Sequence, residues 1–178
     1  MLTSKDTLID LMDTYKRGVH SALENLPPEA LSWQPDDEAN HIAVTVWHLG
    51  RVMDGVKTIR MDAADPSEQV WFTQGWAEKY NYDPRGLGND GMGILTGYSI
   101  EEMKAVPVMS SEDMLAYFDQ IFQVLYDFLN ENTSEGLKEL APNSERDFYF
   151  WIKICIIDGT RHTGELLALR SMWERQNK

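Results

Sequence analysis

Asp158 and His162 stand four residues apart in the stretch IIDGTRHTGELLALR, directly after the apolar run FYFWIKICII. Residues spaced i, i+4 on an α-helix lie one above the other. On a 3.6-residue period they share a broad face with Trp151, Ile154, Cys155, Leu166 and Leu169. His48 holds the same relation to a second segment, HIAVTVWHLGRVMDGVKTI, where Val44, Thr45, Val52, Val56 and Ile59 share its face. Two apolar stripes therefore each present ionisable groups to one core. Burying such groups is costly unless they are paired or bound. A divalent metal is one common explanation. Neutral imidazole and carboxylate suit first-row ions, three protein ligands leave positions open for water or substrate, and helical bundles build such sites from inward side chains on facing helices. A metal-free network in which Asp158 holds His48 or His162 by a hydrogen bond is the other.

Four long helices must position these groups. Thr3 or Ser4 caps the first, whose stripe is Leu8, Leu11, Met12, Tyr15, Val19 and Leu23, and LPPE at Leu26–Glu29 stops it. Asn40 is the expected cap of the second, which runs to about Met61. Ser110 or Ser111 caps the third, with Met114, Phe118, Ile121, Leu125 and Phe128 inward, and the fourth spans Glu145 to Glu174. No strand pair is evident. The link between the second and third helices is far longer than the loops of an up-down-up-down bundle, and it carries short helices at QVWFTQGWAEKY and SIEEMKA. The expectation is an all-α, four-helix bundle with a long crossover connection between helices 2 and 3, in one domain spanning residues 1–178.

The chain has 178 residues, 43% of them hydrophobic, with a formal net charge of −13. That charge disfavours nucleic acid and anionic membrane surfaces as partners. The single cysteine, Cys155, lies between isoleucines and reads as a small hydrophobe. No stretch approaches about 18 uninterrupted apolar residues, and the first residues lack the apolar core of a signal peptide. A cytoplasmic protein is expected.

Other patterns carry less. GLGNDGMG places glycines at 86, 88 and 91 in a G-x-G-x-x-G spacing, but no strand precedes it and no helix opens on it, so a loop able to act as a lid is the better reading. Glu38 and His41 form one Glu-x-x-His where a di-iron bundle needs two. His41 and His20 are read as surface residues. Arg51 and Asp54 follow His48 by one and two turns; an outer partner of the ligand or an exposed ion pair both fit. Arg161 and Glu165 are read as a surface pair. Trp71 and Trp76 are read chiefly as core, with the wall of a substrate cleft as the alternative. No G-x-S-x-G nucleophile elbow is present.

The segments VWHLGRVMDG and DGTRHTGELLALR, with their WHLxR and DxxRHxGE motifs, resemble the DinB-like (YfiT-like) metalloenzyme superfamily. The resemblance extends over nearly the whole chain and takes in QVWFTQGWAEKYN and the glycine-bearing link. It implies a four-helix bundle with a long crossover, and Ni, Zn or Fe held by one His of the second helix and two residues of the last. Those positions are His48, Asp158 and His162 here. Asp158 stands where many members carry His, which leaves a two-His-one-carboxylate set. The resemblance further implies a thiol-dependent transferase or a hydrolase acting on a small-molecule substrate, with a low-molecular-weight thiol as a second cofactor in the first case. The alternative is a non-catalytic, metal-free bundle that binds a small ligand or a protein partner. A homodimer is expected, with an aromatic patch buried between subunits.

Overall fold

The computed structural model describes residues 2–177, and among these the regular structure is helical, with a lone bridge pairing Leu140 with Asp147. Helix α1, Ser4–Leu23, begins in a capping box: the Thr3 hydroxyl accepts the Asp6 amide and the Asp6 carboxylate accepts the Thr3 amide. Its inward stripe is Leu8, Met12, Tyr15 and Val19, all buried. A short α2, Pro28–Leu31, follows the Pro-Pro stop and adds Ala30 and Leu31 to the core.

Helix α3, Ile42–Gly55, is buried along its entire length. A helix this apolar, with only Thr45, His48, Arg51 and Asp54 polar, belongs at the centre of a fold, and α3 packs against both of the long helices described next. Its N-cap is His41, whose Nδ1 accepts the Val44 amide at 3.1 Å. Asn40, the expected cap, instead donates to Glu165. His41 is thus a half-buried cap rather than a surface residue. Past Gly55 the helix widens into a π-turn, Val56–Met61, in which the Asp62 amide reaches the Lys57 carbonyl five residues back.

The long link that follows carries α4, Val70–Thr73, and α5, Trp76–Tyr80. These divide the single helix read from sequence, because Gly75 adopts a left-handed φ of 77° that ends one and starts the other. Helix α6, Ile100–Lys104, is capped by Ser99 through a second capping box with Glu102. Helix α7, Ser111–Glu131, is capped by Ser110. Helix α8, Phe148–Gln176, starts three residues later than its sequence pattern suggests, because the Asp147 carboxylate takes the Phe150 amide at 2.7 Å.

Helix α8 lies along α1 and α3, and α7 along α3 and α1. Tyr15 on α1 meets Phe118 and Phe122 of α7 edge-on and tilted, at 5.6 and 5.2 Å between ring centres. Trp47 on α3 meets Trp71 of α4 at 6.0 Å. Trp71 and Trp76 are core side chains. Basic residues close two helix ends: Lys5 donates to the carbonyls of Asn130 and Asn132, and Arg170 to those of Ser21 and Ala22. No helix among the described residues is long and apolar enough to cross a membrane.

Helices α1 and α8 approach closely at Gly159, where an added Cβ would lie 2.2 Å from the Tyr15 ring. Gly159→Ala is expected to cost about 1–3 kcal/mol by forcing that ring from its place against Phe118 and Phe122. Urea unfolding of the variant beside wild type measures it.

Candidate metal centre

His48 projects from the middle of α3, and Asp158 and His162 from successive turns of α8. Because α8 packs along α3, the three side chains meet: one ligand atom from each lies within 4.8 Å of the others. His48 Nε2 is 3.3 Å from Asp158 Oδ2, and His162 Nε2 is 3.8 Å from Asp158 Oδ1. The two imidazoles sit edge to face at 4.8 Å. His48 is buried, and the other two are about a third exposed, so the cluster faces outward on one side.

The outer nitrogens of both rings are committed. His48 Nδ1 lies 2.5 Å from the carbonyl of Ile94, and His162 Nδ1 lies 2.5 Å from Glu165 Oε2. A carbonyl and a carboxylate can only accept, so both Nδ1 atoms carry the proton and donate. In the neutral rings each Nε2 is then a bare lone pair. Both lone pairs face the Asp158 carboxylate, whose buried Oδ2 has no hydrogen-bond partner. Three acceptors converge with no donor among them. This arrangement is repulsive until a cation sits between them, either a metal ion or a proton.

The form closed by a proton has its own mark. Burial acts to raise the pKa of Asp158, but once the imidazoles are protonated the His48 hydrogen bond and the positive charges of His48, His162 and Arg161 outweigh it and hold the carboxyl below its ordinary value. The Glu165 hydrogen bond holds His162 above its ordinary value, and the reciprocal contact, helped by Asn40, holds Glu165 below its own. Glu165 is therefore not a surface partner of Arg161. It orients His162 and adds to its basicity, as carboxylates behind ligating histidines do.

The Ile94 carbonyl reaches His48 from the loop that precedes α6. Gly93 precedes it at φ 64°, where a Cβ would lie 2.4 Å from the Pro84 carbonyl oxygen, so only glycine fits. Arg51, fully buried, fixes the same loop: Nε donates to Gly93 O at 3.1 Å, and one terminal nitrogen to Gln69 Oε1 at 2.7 Å and Met92 O at 3.4 Å. Its other terminal nitrogen pairs with Asp54 at 3.3 Å. Asp54 in turn accepts the amides of Val70 and Trp71 and the Tyr117 hydroxyl, each at 2.9 Å. The Arg51–Asp54 pair is thus a buried hub joining α3, the long link and α7, one turn from His48, and not an exposed ion pair.

Beside the triad lies a cleft of about 290 Å³, walled by Val52, Val56, Ile154 and Trp151 and roofed by the loop from Asp90 to Thr96. The glycine-rich segment supplies this roof, with a single 3₁₀ turn at Asn89–Gly91. Trp151 lines the cleft; Trp71 and Trp76 do not. Cys155 is buried, and burial first, then Asp158, push its thiol up to about 12, so it is no nucleophile. His20 pairs with Asp119 at 2.8 Å, away from the site.

The family profile of the DinB superfamily matches residues 13–166, and the chain belongs to that superfamily. No curated protein matched it. Among solved structures, the crystal structure of a conserved protein from Enterococcus faecalis superposes with a TM-score of 0.76 at 17% identity, covering 96% of each chain. That likeness concerns the fold.

Glu165→Gln keeps the shape of the side chain and removes its charge. It is expected to weaken divalent-metal affinity by about 10–100-fold with the helical circular dichroism unchanged. Competition against a metallochromic indicator measures it.

Proposed function

We propose that this chain is a divalent-metal-dependent enzyme of the DinB superfamily, built as a four-helix bundle whose long crossover roofs the site, and that His48 Nε2, Asp158 and His162 Nε2 hold the ion. Ni, Zn and Fe all suit two imidazoles and one carboxylate. The observation that carries this reading is the convergence of three acceptors, with both outer ring nitrogens already committed. A divalent ion there supplies Lewis acidity toward a water, a thiol or a substrate carbonyl.

The chain's own residues do the rest. Ile94 O and Glu165 keep each ring in the tautomer that offers Nε2. Asn40 holds Glu165 in place at 3.2 Å. Val52, Val56 and Ile154 exclude water from one side of the reacting position, and the half-exposed side of Asp158 and His162 leaves a path for a small molecule. Thiol transfer to a small electrophile and hydrolysis both use this arrangement.

The test offers Zn-, Ni- and Fe-loaded protein a chromogenic acetyl ester, and a fluorogenic electrophile with and without a small thiol. Turnover that depends on metal and disappears in His48→Ala supports the enzyme. Stoichiometric metal with no turnover on any such substrate favours a binding role for the same centre. Failure to take up metal favours the metal-free bundle.

A further inference from the structure

The cleft beside the triad has a second chemical end. Arg60 lies at its far mouth, and the ridge His48, Val52, Val56, Arg60 runs along its floor at four-residue steps. In an α-helix a four-residue step overshoots one turn by about 40°, so three steps would carry residue 60 about 120° away from His48. The π-turn Val56–Met61 prevents this, because each wider turn takes about one more residue and the last step falls short of a turn instead. The widened turn brings the Arg60 side chain back to the cleft. From the facing helix, Trp151 lies under its guanidinium at 6.0 Å.

Arg60 is the basic residue among those lining the cleft, in a chain with 29 acidic and 16 basic side chains. Its partner is Asp90, on the roof loop, at 3.1 Å. That carboxylate is 73% exposed and, among the described residues, accepts a hydrogen bond from Arg60 alone, so an incoming carboxylate can take its place on the guanidinium. Between the two polar ends the walls are Val52, Val56, Ile154 and Met92.

We propose that the cleft takes an elongated small molecule with an apolar body and one terminal carboxylate, which Arg60 binds by displacing Asp90 while the other end reaches the triad. A lone guanidinium matches one carboxylate charge, with paired N–H donors to both oxygens. A phosphate monoester, carrying close to two charges, would exceed it. The proposal rests on the triad being the reactive end, but its test reads the opposite end.

The full-length chain, treated with chelator so that no ion at the triad takes the carboxylate, is titrated calorimetrically with 6-phenylhexanoate and with its neutral amide. The acid is expected to bind about tenfold tighter than the amide to wild type. In Arg60→Gln the ratio falls to about one, while in Asp90→Asn the acid binds several-fold tighter than to wild type, because its competitor is gone. Arg60 is partly exposed, so the variant folds, and its metal uptake should equal that of wild type. A ratio near one in wild type, or an acid preference that survives Arg60→Gln, overturns the proposal. Loss of metal binding in wild type itself would instead overturn the reading of the triad.

Discussion

Replacing Arg51 by methionine is expected to lower the melting temperature by about 10 °C. The substitution keeps most of the volume but strands Asp54, which is buried on α3. Removing one member of a buried, hydrogen-bonded pair costs about 3–5 kcal/mol, and each kcal/mol is worth about 2–4 °C in a chain of this size. The loss will depend on pH in a definite direction. Burial already raises the Asp54 pKa above 3.8, with Arg51 the chief opposing influence. Without Arg51 the folded-state pKa rises further. A carboxyl whose folded pKa exceeds its unfolded one favours the native state only while protonated. Both proteins share the unfolded-state value, so the deficit against wild type opens as pH rises past the already raised pKa of wild-type Asp54 and grows until it passes the still higher value of the variant. Thermal melts of both proteins from mild acid to neutrality measure it. The same variant should bind metal about tenfold more weakly, since Arg51 holds the Met92 and Gly93 carbonyls, on the two residues that lead into the Ile94 carbonyl at His48.

Asp158→Asn separates the metal centre from a metal-free hydrogen-bonded network by the sign of its effect. If Asp158 merely buttresses the histidines, the amide loses a charged partner and the metal-free protein weakens. If the carboxylate faces two bare Nε2 lone pairs, the amide offers them an N–H in place of a third acceptor. The metal-free variant is then at least as stable as wild type above the His162 pKa, while metal affinity falls about 100-fold or more. Below that pKa the comparison reverses. A proton on His162 substitutes for the cation in wild type; Glu165 is the larger cause of the raised His162 pKa and stays in the variant, so the native-state contribution that the variant loses is the share owed to Asp158. It is fully present below the ordinary value of 6.5 and lost as pH rises through the folded one. Melting curves of chelated wild type and variant on both sides of that range distinguish the two cases.

The first and third long helices were legible because their apolar periods and caps agree: Thr3 and Ser110 each accept the amide three residues on. His48, Asp158 and His162 were legible as ionisable groups on apolar stripes, and the packing of α8 along α3 brings them together. What surrounds them was harder to read. The Ile94 carbonyl is a backbone atom of a loop, and no residue type signals it. The π-turn at Val56–Met61 leaves the apolar pattern unchanged, so the return of Arg60 to the cleft had no mark in the sequence. Two further features of the sequence do carry a signal. His162 and Glu165 stand at i, i+3, a contact distance on any helix. The segment around Arg51 and Asp54 is apolar apart from that pair, Thr45 and His48, and a helix so rich in apolar residues is buried and must pair its charges internally.

The measurement that bears most directly on the metal centre is elemental analysis of protein purified without a metal-affinity tag, for wild type beside His48→Ala and His162→Ala. The converging acceptors predict near-stoichiometric Ni, Zn or Fe in wild type and its loss in both variants. Wild type that holds no metal, even after incubation with these ions at neutral pH, would contradict the account and leave the three side chains as a polar network closed by a proton.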